Sequence, residues 1–287
     1  MNLGLAVLGS IMIAMTASNE LGEFLRSRRA RLNPAEVGLR GAATSRRVAG
    51  LRREELAMLA GVSADYYARL EQGRARNVSE QVLTAVADAL QLDDVERRHL
   101  NDLAHPSGAA ARPAPKVRAA LRSMVHALDP VPAVLHGPLL EVLAINRAGK
   151  ALLTDFEAMP AAERNMVRWM FLDPNARRVY PDWAEIAAQM VAILRAAGNG
   201  PALAELVGEL TAQSSDFARC WAEYRVYQHT HGPKRFHHDE VGTMVLNYET
   251  LRLPADPGLS VILYTADTGS PSAQRLTELV SSYRPSR

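Results

Sequence analysis

A chain of 287 residues, 48% hydrophobic and 22% charged, is long enough for two domains with apolar cores, which excludes bulk disorder. The lone Cys220 excludes a disulfide scaffold and a thiolate zinc site, and fits a protein of a reducing compartment, the cytoplasm. The net charge is only +2, yet residues 26–53 hold nine arginines (26, 28, 29, 31, 40, 46, 47, 52 and 53) against Glu36 alone, so this segment carries +8 and the remainder −6. Such segregation predicts one basic face for a polyanion on an otherwise acidic body.

The apolar run Leu3–Ala17 is shorter than the roughly 18–20 residues of a spanning helix, and no Lys or Arg precedes it as in an export signal. No membrane partner is expected. Met12 and Met15 are alternative starts, so residues 1–18 are set apart from the fold. From Leu21 to Ala104 the pattern is helical, punctuated at Gly61, Gly73 and Asn77, and residues 19–106 read as one domain. The small-residue and proline bias of 107–115 marks a linker.

A second domain is expected over 116–268, with a C-terminal helix or tail at 269–287. It opens with an amphipathic helix over 117–128, presenting Val117, Leu121, Met124, Val125 and Leu128 on one face and ended by Asp129-Pro130. Two β-like runs follow, Ala133–Leu135 and Glu141–Ile145, then helical sequence from Ala148 to about Val226. Lys234–His238, Gly242–Leu253 and Ser260–Thr265 are rich in β-branched and aromatic residues between turn signals. This order predicts an α+β domain with helices on one face of an antiparallel sheet.

Within the first domain, residues 53–73 have the layout of a helix-turn-helix. Leu56, Ala57 and Ala60 face inward on a short first helix, Gly61 permits the left-handed turn, and Val62 plugs the space between helices. Ser63 caps the second helix, Tyr67 and Leu70 face inward, and Gly73 ends it. In such a motif the second helix enters the major groove N-terminus first. The Leu-Ala, Gly-Val-Ser and Leu-Glu-x-Gly pattern resembles the xenobiotic-response-element, or Cro/CI-type, regulators, which implies a mainly α five-helix domain with further helices at Leu21–Leu32, Ser79–Leu90 and Asp94–Ala104. The Arg- and Gly-rich stretch Asn33–Leu51 is longer than that fold needs.

On the second helix the outward Ser63, Ala64, Asp65, Tyr66 and Arg69 are the candidates for reading bases. Arg69 suits guanine O6 and N7, Asp65 cytosine N4, and the Ala64 methyl a thymine methyl. Asp65 has the alternative role of favouring the helix N-terminus. Arg46, Arg47, Arg53, Arg74 and Arg76 are candidate phosphate contacts on double-stranded DNA, with simple solvation as the alternative.

In the second domain, Glu-Arg-Asn-Met at 163–166, Phe-Leu-Asp-Pro at 171–174, Tyr-Pro-Asp-Trp at 180–183, Asn-Tyr-Glu-Thr at 247–250 and Tyr-Thr-Ala at 264–266 resemble regulators carrying an MmyB-like ligand-binding domain. Where that family has Trp-Asn, this chain has Ile145-Asn146. The resemblance implies a PAS-like α+β sensory domain enclosing an apolar cavity, with a bound fatty acid or similar lipophilic effector and no other cofactor. Most of the aromatic and methionine side chains lie between 156 and 224, and such residues make adaptable pocket walls. The pocket candidates are Arg164, Asn165, Met166, Trp169, Met170, Trp183, Met190, Phe217, Trp221, Tyr224 and Tyr248, with an ordinary core as the alternative for the bulky ones and a structural cap or salt bridge for Arg164 and Asn165.

No nucleophile elbow, zinc-protease, phosphate-loop or dinucleotide motif is present, so an enzyme is not expected. His229, His231, His237 and His238, with Asp239 and Glu240, leave a metal-sensing alternative, although His237 and His238 on one strand would point to opposite faces. A second domain devoted to protein interaction is the other alternative. One short recognition helix buries little surface, so a homodimer on two half-sites about one helical turn apart is expected, joined through helix 117–128 and the sensory domain.

Overall fold

The computed structural model describes residues 20–39, 50–75, 78–105, 117–197, 200–223 and 231–284. Residues 1–18 and the 107–115 linker lie outside them. The chain divides into two compact units, Met1–Ala111 with Gly198–Pro201, and Arg112–Ala197 with Ala202–Arg287.

The first unit is helical: α1 (20–31), α2 (Arg53–Leu59), α3 (Ala64–Glu71), α4 (Glu80–Ala89) and α5 (Asp94–Ala104). Ser79 caps α4 by accepting from the Val82 amide, and Asp93 forms a reciprocal capping box with Glu96 at the start of α5. Leu21, Phe24 and Leu25 of α1 join Leu56, Ala57, Tyr67, Leu70, Leu83, Val86 and Leu100 in the core. At Gly22 a Cβ would lie 2.2 Å from the Glu71 carbonyl oxygen, so α1 crosses the end of α3 at a distance only glycine allows. Gly61, at φ +65°, makes the left-handed turn between α2 and α3. Val62 is only half-buried there, a weaker plug than expected.

The second unit runs α6 (Ala119–Ala127), β1 (Ala133–His136), β2 (Val142–Ile145), α7 (Arg147–Leu152), two 3-10 turns (Phe156–Ala158 and Ala161–Glu163), α8 (Met166–Leu172), α9 (Pro174–Val179), α10 (Trp183–Ala196), α11 (Pro201–Gln213), α12 (Ser215–Ala222), β3 (His231–His238), β4 (Gly242–Arg252), β5 (Ser260–Thr265) and α13 (Pro271–Ser282). The strands form one antiparallel sheet in the order β2-β1-β5-β4-β3, so the domain is α+β, as expected. Strand β3 includes Gly232 and Pro233, residues that hide a strand in sequence; as an edge strand it tolerates a proline.

Register and alternation divide the sheet into two faces. Val134, Phe236, Met244, Leu246, Tyr248, Ile262 and Tyr264 project into the large core with residues of α8, α9 and α10. Ala133, Leu135, Ala144, Leu259 and Val261 project the other way, against Leu121 and Val125 of α6. Helices therefore cover part of both faces, not one as expected, because a four-residue β1 buried on all positions has apolar side chains on either side. On α6, Met124 stays 43% exposed rather than joining the inner face.

At the β2–α7 junction, buried Asn146 ties three segments together. Its Oδ1 accepts from the amides of Gly149 (2.8 Å) and Ala133 (3.0 Å), and its Nδ2 donates to the Val131 carbonyl (2.7 Å). Three of the four hydrogen bonds open to the amide side chain are made, so Asn146 holds β1 against α7 without any aromatic neighbour at position 145.

Candidate DNA-reading face and ligand cavity

The start of α3 presents Ser63, Ala64, Asp65 and Arg69 to solvent, with Tyr66 half-buried, whereas Tyr67 and Leu70 are fully buried. Ser63 Oγ accepts from the Tyr66 amide at 3.1 Å, so the serine proposed for base contact also caps the start of the helix. Its hydroxyl hydrogen remains to donate. Arg74 is exposed after the turn at Gly73. Arg46, Arg47 and Arg76 lie outside the described residues.

Arg53, a candidate phosphate contact, also meets a buried carboxylate. Its Nε donates to Glu71 Oε1 at 3.0 Å, and Glu71, whose side chain is fully buried, also accepts from Arg29 Nε and Nη2, each at 2.9 Å. Arg29 Nη1 donates to the Leu51 carbonyl at 2.7 Å. Burial pushes the Glu71 carboxyl up, but the bonds and charge of Arg29, then of Arg53, outweigh it and hold the group below its usual value. The glutamate thus locks the end of α3 to α1 and to the start of α2, fixing the recognition helix. The Leu-Glu-x-Gly signature carried this residue, but only the fold shows which arginines meet it.

In the second unit a half-open cavity of about 510 Å³ lies on the large-core face of the sheet. Leu140, Met166, Met190, Ile193 and Ile262 supply apolar wall, and the turn residues Leu253, Pro254, Pro257 and Gly258 form the rim with exposed Arg252. Lys234, His136, Thr250, Ser260 and Tyr264 add polar groups. Pairing of Arg252 and His136 with Ser260, and of Thr250 and Val134 with Ile262, explains why residues distant in sequence share this wall.

Lys234 is only 5% exposed, and its Nζ sits 4.2 Å from the centre of the Tyr248 ring. Burial lowers its amine to about 7. His136, 1% exposed, is lowered to about 4, chiefly by burial with a smaller contribution from the charge of Lys234. Its Nδ1 has no hydrogen-bond partner among the described residues. Burial also pushes the Tyr264 phenol up to about 12. At neutral pH the wall therefore holds a neutral imidazole, a neutral phenol and an amine near its midpoint.

The structure redraws the expected pocket. Met166 and Met190 line the cavity, and Tyr248 lies beneath the Lys234 amine. Trp169, Met170, Trp183 and Phe217 pack in the core instead: Trp169 lies edge-on to Phe156 and Tyr180, Trp183 Nε1 donates to the Met170 carbonyl at 3.0 Å, and Phe217 meets Phe171 edge-on. Trp221 stacks on Phe217 and carries the Arg195 guanidinium at 3.8 Å. Arg164 donates to the carbonyls of Met159 and Glu157, and Asn165 caps α8 while donating to the Leu139 carbonyl, so both hold backbone. Tyr224 lies outside the described residues. The polar wall was missed because it comes from strands, whereas aromatic density directed attention to the helices; a lysine alternating with Gly232 and Phe236 on an inward face was the available signal.

His237 Nε2 lies 3.8 Å from an Asp239 carboxylate oxygen, and His238 Nδ1 accepts from the Glu240 amide. His229 is outside the described residues, and among those described no three His, Cys, Asp or Glu side chains converge as a metal site. No described helix is long and apolar enough to cross a membrane.

A family model described as the MmyB-like transcription regulator ligand binding domain matches residues 117–279, more than half of the chain. The chain belongs to the MmyB-like regulator family. A helix-turn-helix domain model matches residues 20–100. No curated protein sequence matches the chain significantly. This MmyB-like chain thus joins a DNA-binding helix-turn-helix of the xenobiotic-response-element type to a ligand-binding domain, the composition of a ligand-responsive transcription regulator. Both matched families are regulatory rather than catalytic.

Proposed function

We propose that the protein reads an operator as a homodimer through Ser63, Ala64, Asp65, Tyr66 and Arg69, with Arg46, Arg47, Arg53, Arg74 and Arg76 on phosphates, and that its effector is a lipophilic carboxylic acid. The observation that carries the effector class is Lys234, a buried amine in a wall otherwise dominated by apolar groups. A cavity of this size falls within the range of about 300–1,000 Å³ usual for small-molecule pockets. The alkyl chain lies against Met166, Met190, Ile193 and Ile262, and the carboxylate meets the Lys234 ammonium. An opposite charge at that depth favours the protonated amine. Binding is therefore accompanied by proton uptake near pH 7, and affinity for the acid falls as pH rises through the 7–9 range. Isothermal titration of the full chain with decanoate between pH 6 and 9 tests this: tight binding at pH 6 that weakens toward pH 9 is expected, and equal binding of decanoate and decanol at every pH refutes a carboxylate at Lys234. Dimerisation is tested by sedimentation at micromolar concentration, free and DNA-bound, where a monomer in both states refutes it.

A further inference from the structure

We propose that Lys234 is also a covalent capture site for lipophilic aldehydes, which form an imine with its Nζ inside the cavity. The inference rests on the reading of this cavity as the effector site and extends it to a second ligand chemistry. Only three of the chain's 33 Lys and Arg residues are lysines, at 116, 150 and 234. Lys150 is bound by carboxylates, with Asp155 at 3.1 Å and Glu157 at 2.8 Å, which raise its amine above the ordinary value. Lys234 stands on the inward face of β3, buried against the Tyr248 ring. Among described residues it is the one lysine in the cavity wall.

An amine nucleophile needs three things: an unprotonated nitrogen, an apolar wall for the alkyl chain, and groups that relay protons. Burial supplies the first, holding Lys234 near 7. Leu140, Met190 and Ile193 supply apolar wall for the alkyl chain in the half-open cavity. His136, with its Nδ1 unbonded, and the Tyr264 hydroxyl share the wall and supply the third. The Nζ lone pair attacks the carbonyl carbon, forming a C–N bond as the carbonyl π electrons move to oxygen. A proton passes from nitrogen to that oxygen to give the carbinolamine. Protonation of the hydroxyl expels water, the nitrogen lone pair forms the C=N bond, and loss of the remaining N–H proton returns the proton used. Aldehyde plus amine thus gives imine plus water, with no oxidant or reductant. Imine formation is reversible, as a sensor requires. An ordinary lysine has about one neutral amine in a few thousand at pH 7, against about one in two for Lys234, so selective reaction on the order of a hundredfold is expected after allowing for the lower intrinsic nucleophilicity of a weaker base.

The test incubates the full chain with decanal and cyanoborohydride at pH 7, followed by intact mass and peptide mapping. One decyl group on Lys234, forming about a hundredfold faster than on Lys116 or Lys150, is expected. Excess decanoate should slow the reaction, Lys150→Arg should leave it unchanged, and Lys234→Met, its folding checked by tryptophan emission, should abolish it. Labelling of Lys116, Lys150 and the N-terminus at rates equal to or above Lys234 overturns the proposal. If Lys234 stays unlabelled while decanoate still raises the melting temperature, aldehyde capture fails and the acid reading stands; if neither occurs, both fail.

Discussion

Replacing Lys234 with Met should stabilise the second unit at neutral pH, and the gain should vanish in alkali. Moving a lysine amine from its ordinary 10.5 to about 7 corresponds to about 4–5 kcal/mol of unfavourable burial. The folded-state value is depressed, so between pH 7 and 10.5 the unfolded chain binds more protons than the native one and wild-type stability rises with pH. Below pH 7 both states are protonated and the full penalty applies. Methionine is of similar length and carries no charge, but it forfeits the contact of the ammonium with Tyr248, worth about 0.5–2 kcal/mol. The variant should therefore be about 3 kcal/mol more stable at pH 6, with the difference falling to within about 1 kcal/mol of zero at pH 10. Urea unfolding followed by tryptophan emission reads the right unit, because Trp169, Trp183 and Trp221 all belong to it. Taking the difference between the two proteins at each pH cancels every other titration. A difference that is constant from pH 6 to 10 would refute a buried, depressed amine at this position.

Glu71→Gln should destabilise the first unit by about 2–4 kcal/mol, since it leaves Arg29 without its buried counter-charge, while half-exposed Arg53 is screened by water. Hydrogen exchange should accelerate across residues 53–73. The stabilisation from a depressed carboxyl is present above its ordinary value and lost as pH falls through the folded one, so acid should loosen this region in the wild type and change the Gln variant less. Arg69→Ala should relax preference at one base pair by about 1–3 kcal/mol in competition binding between promoter and random DNA, whereas Arg74→Ala should weaken all sequences alike and reduce the salt dependence.

The helix-turn-helix was legible because each of its special positions has a local cause. Ser63 caps, Gly61 and Gly73 turn, and Tyr67 and Leu70 repeat on one face, all within about twenty residues. Helix α5 lies where the family resemblance implied it, and its start has a local cause too, the capping box of Asp93 with Glu96 three residues on. Strand β5 was equally plain from its Val-Ile-Leu-Tyr run. The cavity was not, because its wall joins His136, Lys234, Thr250 and Tyr264 across four strands, and which of them share a face depends on register between strands rather than on any local pattern. Aromatic density pointed to Trp169, Trp183 and Phe217, which fill the core because nothing in a composition count separates a packed ring from a pocket ring. The role of Glu71 was hidden likewise: Arg29 is 42 residues away, and the pairing exists only once α1 crosses α3 at Gly22.

Control of DNA binding by the cavity's ligand is tested most directly by fluorescence anisotropy with the full chain and its own promoter. The affinity should be measured at pH 7 with and without saturating decanoate, for the wild type and Lys234→Met. An effector acts only through its differential affinity for DNA-competent and incompetent states, and a typical coupling of about 1–3 kcal/mol is a change of about 5–150-fold. Such a change in the wild type, absent from Lys234→Met, is the result this account predicts; decanoate that binds the wild type yet leaves promoter affinity unchanged would contradict it.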